Sequence, residues 1–229
     1  MSFIFVSCSN STQQNTQTSF NSSNSQLAIK QEGLRKLAMT SSNDGLEFIN
    51  NGNSLINKAV SNFQNNSIES ETKNIKVRES CIQARVYYSQ AIQEFKNSNS
   101  AWEEFKKFPL SEKTQLFVQY YISKTNAVSN KAMSETEACK ELESATNYLD
   151  LNDVKNAKLA VSRSNIKLEE AGAWSDTYNT YLDKLDYEGA GISRVIKITD
   201  ISYSSNSSPV TKCEDIPEEL GGCLKIKEK

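Results

Sequence analysis

The residues of this chain with the most capacity for chemistry are five cysteines, Cys8, Cys81, Cys139, Cys213 and Cys223, in 229 residues that contain no histidine. Without imidazole, the commonest general base and the commonest metal ligand are both missing. Carboxylates stand side by side at Glu103-Glu104, Glu169-Glu170 and Glu218-Glu219. Adjacent residues on a helix point in different directions, so these read as solvated faces rather than acid–base pairs. The Glu-x-x-His pattern of di-iron bundles cannot occur, and there is no phosphate-cradling glycine loop and no Ser or Cys flanked by a base. The expectation is a protein that is not an enzyme and takes neither a metal nor a cofactor.

The elements that carry these residues read as helices. Proline (3) and glycine (8) are scarce, while Ala, Glu, Lys, Gln and Leu recur at helical spacing, which excludes an all-β chain. The net charge is −2 and the 26 basic residues are scattered, so the footprint of a nucleic-acid binder is missing. Residues 9–25 are nearly all Ser, Asn, Gln and Thr, too polar to offset the entropy of ordering, and read as a disordered tether. A weak helical pattern over 26–40 is interrupted at Thr40 to Gly45, where Asp44 and Glu47 have the form of a capping box opening a new helix. That helix stops at Asn65-Asn66. Val77, Cys81, Ala84, Tyr88, Ala91 and Phe95 mark the next, which Pro109 ends. Ser111 caps a third running to about Asp150, and a fourth starts near Asn152 and reaches Tyr187.

Short links between these segments force each helix back along its predecessor. The predicted fold is all-α: a long antiparallel up-down bundle of about four helices over residues 26–187, roughly 50 to 60 Å long at 1.5 Å per residue. Cys81 and Cys139 each lie 29 residues from Leu110, on opposite sides of the turn, so folding back there sets them at one height. The arithmetic predicts a Cys81–Cys139 disulfide, with two reduced core thiols as the alternative. Beyond Tyr187, Gly189 and Gly191 break the helix and Ile192 to Ile201 is β-branched. Residues 188–229 therefore read as a small appendage, partly β or irregular, closed by a second disulfide between Cys213 and Cys223.

The opening residues, Met1 to Asn10, are an apolar run ending in Ser7 and Cys8 and followed by a polar tract. They resemble a bacterial lipobox, with Phe5 where leucine is usual and no basic residue ahead of the apolar run. The resemblance implies that residues 1–8 are a signal remnant with its acylation cysteine, that lipid on Cys8 anchors the chain to a membrane, and that the body is extracytoplasmic, periplasmic or on the cell surface. Setting Cys8 aside leaves four cysteines, which can pair completely in an oxidising compartment.

Aromatic residues gather where the turn after the second helix meets the close of the fourth. Trp102, Phe105, Phe108, Phe117, Tyr120 and Tyr121 come from one hairpin, and Trp174, Tyr178, Tyr181 and Tyr187 from the last helix. Aromatic stripes at this spacing are ordinarily core, here closing the end of the bundle. The functional alternative is a ligand or partner site at Trp102, Tyr121, Trp174, Tyr178 and Tyr181. The function expected from the whole is a non-enzymatic lipoprotein whose bundle serves as an interaction or structural module of the cell envelope, with an envelope or extracellular protein as partner. The alternative is a small-molecule sensor bundle with an aromatic-lined pocket.

Overall fold

The computed structural model describes residues 12–64 and 70–187. Among them it forms four helices and no strand: α1 (Thr12–Gln64), α2 (Ser70–Phe105), α3 (Glu112–Asp150) and α4 (Val154–Tyr187). Cys8, Cys213, Cys223 and the appendage at 188–229 lie outside the described residues. The helices pack in chain order, α1 on α2, α2 on α3 and α3 on α4; α1 meets α3 marginally and makes no close backbone approach to α4. At 1.5 Å per residue, α2 to α4 give a rod about 50 to 60 Å long.

Local chemistry explains most helix ends. Ser111 is extended (φ −62°, ψ 154°) and its hydroxyl accepts the Thr114 N–H at 3.2 Å, which caps α3. Between α3 and α4 the chain turns through Asn152, at φ 56°. Asn tolerates this left-handed conformation. Asp153 then caps α4 by accepting the Asn156 N–H at 3.1 Å.

The first helix corrects the sequence reading in two places. α1 passes without interruption through Thr40 to Gly45, where a break and a new cap were expected, and it extends back through residues 12–25, the span read as a tether. Extending a helix already nucleated costs far less than starting one, so the polar segment can follow the packed one. At Thr40 to Gly45 the cause is tertiary. Ala38, Gly45, Gly52 and Ala59 recur at steps of 7 on α1 and form a seam of small residues. A Cβ at Gly45 would stand 2.6 Å from the Phe95 ring, and one at Gly52 would stand 2.4 Å from the Tyr88 ring. The glycines are holes for two aromatic knobs of α2, themselves seven residues apart. Buried hydrogen bonds pin the same seam: Tyr88 Oη donates to Asn53 Oδ1 at 2.9 Å, and Ser98 Oγ donates to the Ala38 carbonyl at 2.8 Å.

Polar pairs tie α2 to α3. Arg78 pairs with Asp150, Asn74 Nδ2 donates to the same carboxylate at 2.7 Å, and Arg85 pairs with Glu143 at 2.9 Å. Here the register expected from the turn at Leu110 is met: Cys81 and Cys139 are fully buried and their side chains are in hydrogen-bond contact. They are two free thiols in this structure, however, and not the predicted disulfide. Each fills its place as a small apolar residue does.

Two glycine substitutions separate hole from spacer. Gly52→Ala forces a methyl into the Tyr88 ring and is expected to cost about 1–3 kcal/mol. Gly172→Ala on α4 meets nothing within 4 Å; it is expected to gain about 0.5–1 kcal/mol, by helix propensity alone. Urea denaturation of both variants reads the difference, and a Gly52→Ala protein as stable as the parent would contradict the packing described.

Candidate functional site

On α3, Phe117, Lys124, Lys131, Ala138 and Ala145 follow one another at steps of 7. The last four are buried, so two lysines sit in an otherwise apolar repeat. Lys131 is neutralised within its own helix: its Nζ lies 2.5 Å from Glu135, with both side chains almost wholly buried. Lys124 is different. It is 6 % exposed, and no carboxylate among the described residues lies within ion-pair distance. Its Nζ instead stands 5.2 Å from the ring centre of Tyr121 and 5.9 Å from that of Tyr178. Cation–π attraction offsets part of the lost hydration. The remainder appears as a lowered pKa, since burial brings the amine down to about 8.

The rings around it complete a small cluster. Trp102 from α2 stacks on Tyr121 at 5.0 Å and 15°, and meets Phe105 edge-on at 5.5 Å. Tyr178 arrives from α4. Burial raises the Tyr121 hydroxyl pKa, against the nearby Arg35 of α1, and pushes that of Tyr178 up to about 12. Trp102 Nε1 and Tyr178 Oη are buried without a hydrogen-bond partner among the described residues. Buried polar groups are ordinarily satisfied, so two orphans beside an unpaired cation are unusual.

The five aromatic residues singled out in the sequence therefore divide. Tyr121 and Tyr178 converge on Lys124, and Trp102 joins them by stacking on Tyr121. Tyr181 lies 6.2 Å from Tyr120 in a more open group, where Lys184 stands 4.9 Å above its ring. Trp174 is half-buried against the larger core near the middle of the bundle. Lys124 itself was missed, although the signal was present: a charged residue at a seam position of a seven-residue repeat.

Elsewhere the chemistry is quieter. The Cys139 thiol is held well above its ordinary pKa by its hydrogen bond with Cys81 and by burial, so it is no reactive thiolate. At the other end of the rod a depression of about 600 Å³ is lined by Lys73, Asn74, Arg78 and Asp150 among others, and the last two already pair there. Among the described residues there is no cluster of three or more metal-ligating side chains, and no helix is long and apolar enough to cross a membrane. The chain matches no protein family, no curated protein and no solved structure.

The lowered Lys124 pKa has a measurable consequence. Between pH 8 and 10.5 the unfolded chain holds a proton on Lys124 that the folded chain has released, so this lysine makes stability rise with pH across that window. Below it the buried charge costs about 3 kcal/mol. Tyr178 acts oppositely, because its raised pKa costs stability as pH climbs past 10. Lys124→Met should therefore be the more stable protein at pH 7, by about 2–3 kcal/mol. Its advantage should shrink by pH 9.5 in chemical denaturation; an equal or growing advantage at pH 9.5 would refute the assignment.

Proposed function

We propose that this chain is the body of a membrane-anchored extracytoplasmic lipoprotein, lipidated at Cys8, whose helical rod acts as a non-enzymatic interaction or structural module of the cell envelope. The observation that carries the reading is the contact between the Cys81 and Cys139 thiols, in a chain whose opening residues resemble a lipobox. Two cysteines brought together across a helix interface are positioned for a disulfide. Such bonds persist outside the reducing cytosol, in the compartments that lipoproteins occupy. In that setting the pair is proposed to be oxidised, and Cys213 and Cys223 to pair likewise.

The shape suits the role. A lipid needs no transmembrane helix beside it, and a rod several tens of ångströms long would hold its far end clear of the bilayer. On the outer side of α2, Ile75, Ile82 and Val86 are exposed at steps of 7 and 4, which places them on one stripe. Aligned apolar side chains left in water are a feature that partner proteins cover.

Metabolic labelling with an alkyne fatty acid in a bacterial host tests the anchor. Label and membrane association are expected on the parent chain and lost on Cys8→Ser. Mass spectrometry of the same material without reductant should find Cys81 and Cys139 protected from alkylation. An unlabelled parent chain with both thiols alkylated would overturn the reading.

A further inference from the structure

Lys124, Tyr178 and Trp102 come from α3, α4 and α2, and meet through the rings of Tyr121 and Tyr178. The ammonium and the indole N–H can only donate hydrogen bonds, and the phenol can donate one. Two buried donors, Trp102 Nε1 and Tyr178 Oη, have no acceptor among the described residues, and the ammonium beside these rings has no carboxylate among them within ion-pair distance, which defines what is missing. It is an acceptor, and the charge balance sets its kind. One cation beside two neutral donors is neutralised by a single negative charge; a dianion would be left in excess, and a neutral group would leave the ammonium uncompensated. The surrounding surface is aromatic and suits an apolar body.

We propose that the Lys124–Tyr178–Trp102 cluster is a binding site for a small monocarboxylate with an apolar or aromatic body. The carboxylate pairs with the Lys124 ammonium and accepts from Tyr178 Oη and Trp102 Nε1, while the rings of Tyr121 and Tyr178 hold the apolar part. Access lies along the seam between α1 and α4, the two outer helices of the series, which make no close backbone approach to each other. Parting them breaks no close backbone contact, although side chains of both enter the same core clusters. The site also explains why a lysine is kept where an apolar residue would be more stable: the group that weakens the empty bundle is the one that recognises the ligand. This inference goes beyond the anchoring proposed above and does not depend on it, because the cluster lies wholly within the bundle.

The test uses the unacylated full-length chain at pH 7, titrated with acetate, benzoate, benzamide and phenyl phosphate by calorimetry and thermal melting. Saturable binding of benzoate with a raised melting temperature is expected. Benzamide, the neutral isostere, and phenyl phosphate should each bind at least about tenfold more weakly. Lys124→Met should lose benzoate binding while melting above the parent, so that its failure to bind cannot be read as unfolding. Phenyl phosphate binding as tightly as benzoate would overturn the monoanion assignment. If neither acetate nor benzoate binds the parent at millimolar concentration, or if Lys124→Met binds benzoate as the parent does, the site is refuted and the lysine is a buried cation of structural origin only.

Discussion

The constraint on which the rest of the structure depends is the close approach of α1 to α2 over side chains that are nearly absent. Gly45 and Gly52 remove the only atoms that would keep the Phe95 and Tyr88 rings off the α1 backbone. Because the two rings and the two glycines share one seven-residue spacing, the contact fixes the axial register of the pair at two points. Hydrogen bonds from Tyr88 to Asn53 and from Ser98 to the Ala38 carbonyl then forbid a slip of one turn, since any slip would bury their donors unpaired. With that hairpin set, Cys81 is presented to Cys139 of α3 in a defined register. The α3–α4 hairpin is built the same way with different residues: Ser164 Oγ donates to the Ala138 carbonyl at 3.0 Å, which is possible only where two helices come close over small residues.

Against this tightly fitted background the charged residues of α3 stand out as costs that the fold accepts. Lys131 and Glu135 are both buried and cancel each other one turn apart, an arrangement that stabilises little beyond what an apolar pair would. Lys124, seven residues earlier, has only rings for company. The two lysines occupy equivalent positions of one repeat, so the difference between them is local. Four residues on from Lys131 the helix supplies a glutamate, whereas four residues on from Lys124 it supplies Val128. A structural rationale for burying charge would apply to both, and it is the unpaired one that lies among orphaned donors.

Much of the architecture was legible in the amino-acid sequence because its signals are local. Ser111 before Glu112, Asn152 beside Asp153 and Pro109 at the interhelix turn each act through their own backbone, and the end of α2, both ends of α3 and the start of α4 follow from them. The equal spacing of Cys81 and Cys139 from Leu110 located a long-range contact by counting alone. The break at Thr40 to Gly45 was misread for the opposite reason. Serine, asparagine and glycine signal a helix end when judged by propensity, and what they provide here, room for a neighbour's ring, is visible only once the neighbour is in place. The aromatic cluster was legible as a set but not as a partition. Tyr178 and Tyr181 lie three residues apart, yet one closes the core and the other joins an open group with Tyr120.

The joint between the two hairpins is where packing and redox chemistry meet. α2 and α3 are held by Arg78–Asp150 and Arg85–Glu143, pairs on the outer side that are partly exposed and therefore weak individually. Cys81 and Cys139 lie on the inner side of this same interface, fully buried. Oxidising them would replace a thiol–thiol contact by a covalent tie across the helix pair that chiefly links the two halves, and would restrain the unfolded chain by about 4 kcal/mol. The outer pairs weaken with salt and with protonation of Glu143, whose pKa burial has already raised, whereas a buried disulfide responds to neither. A rod tied in that way would keep its shape in a changing medium through its centre rather than its surface.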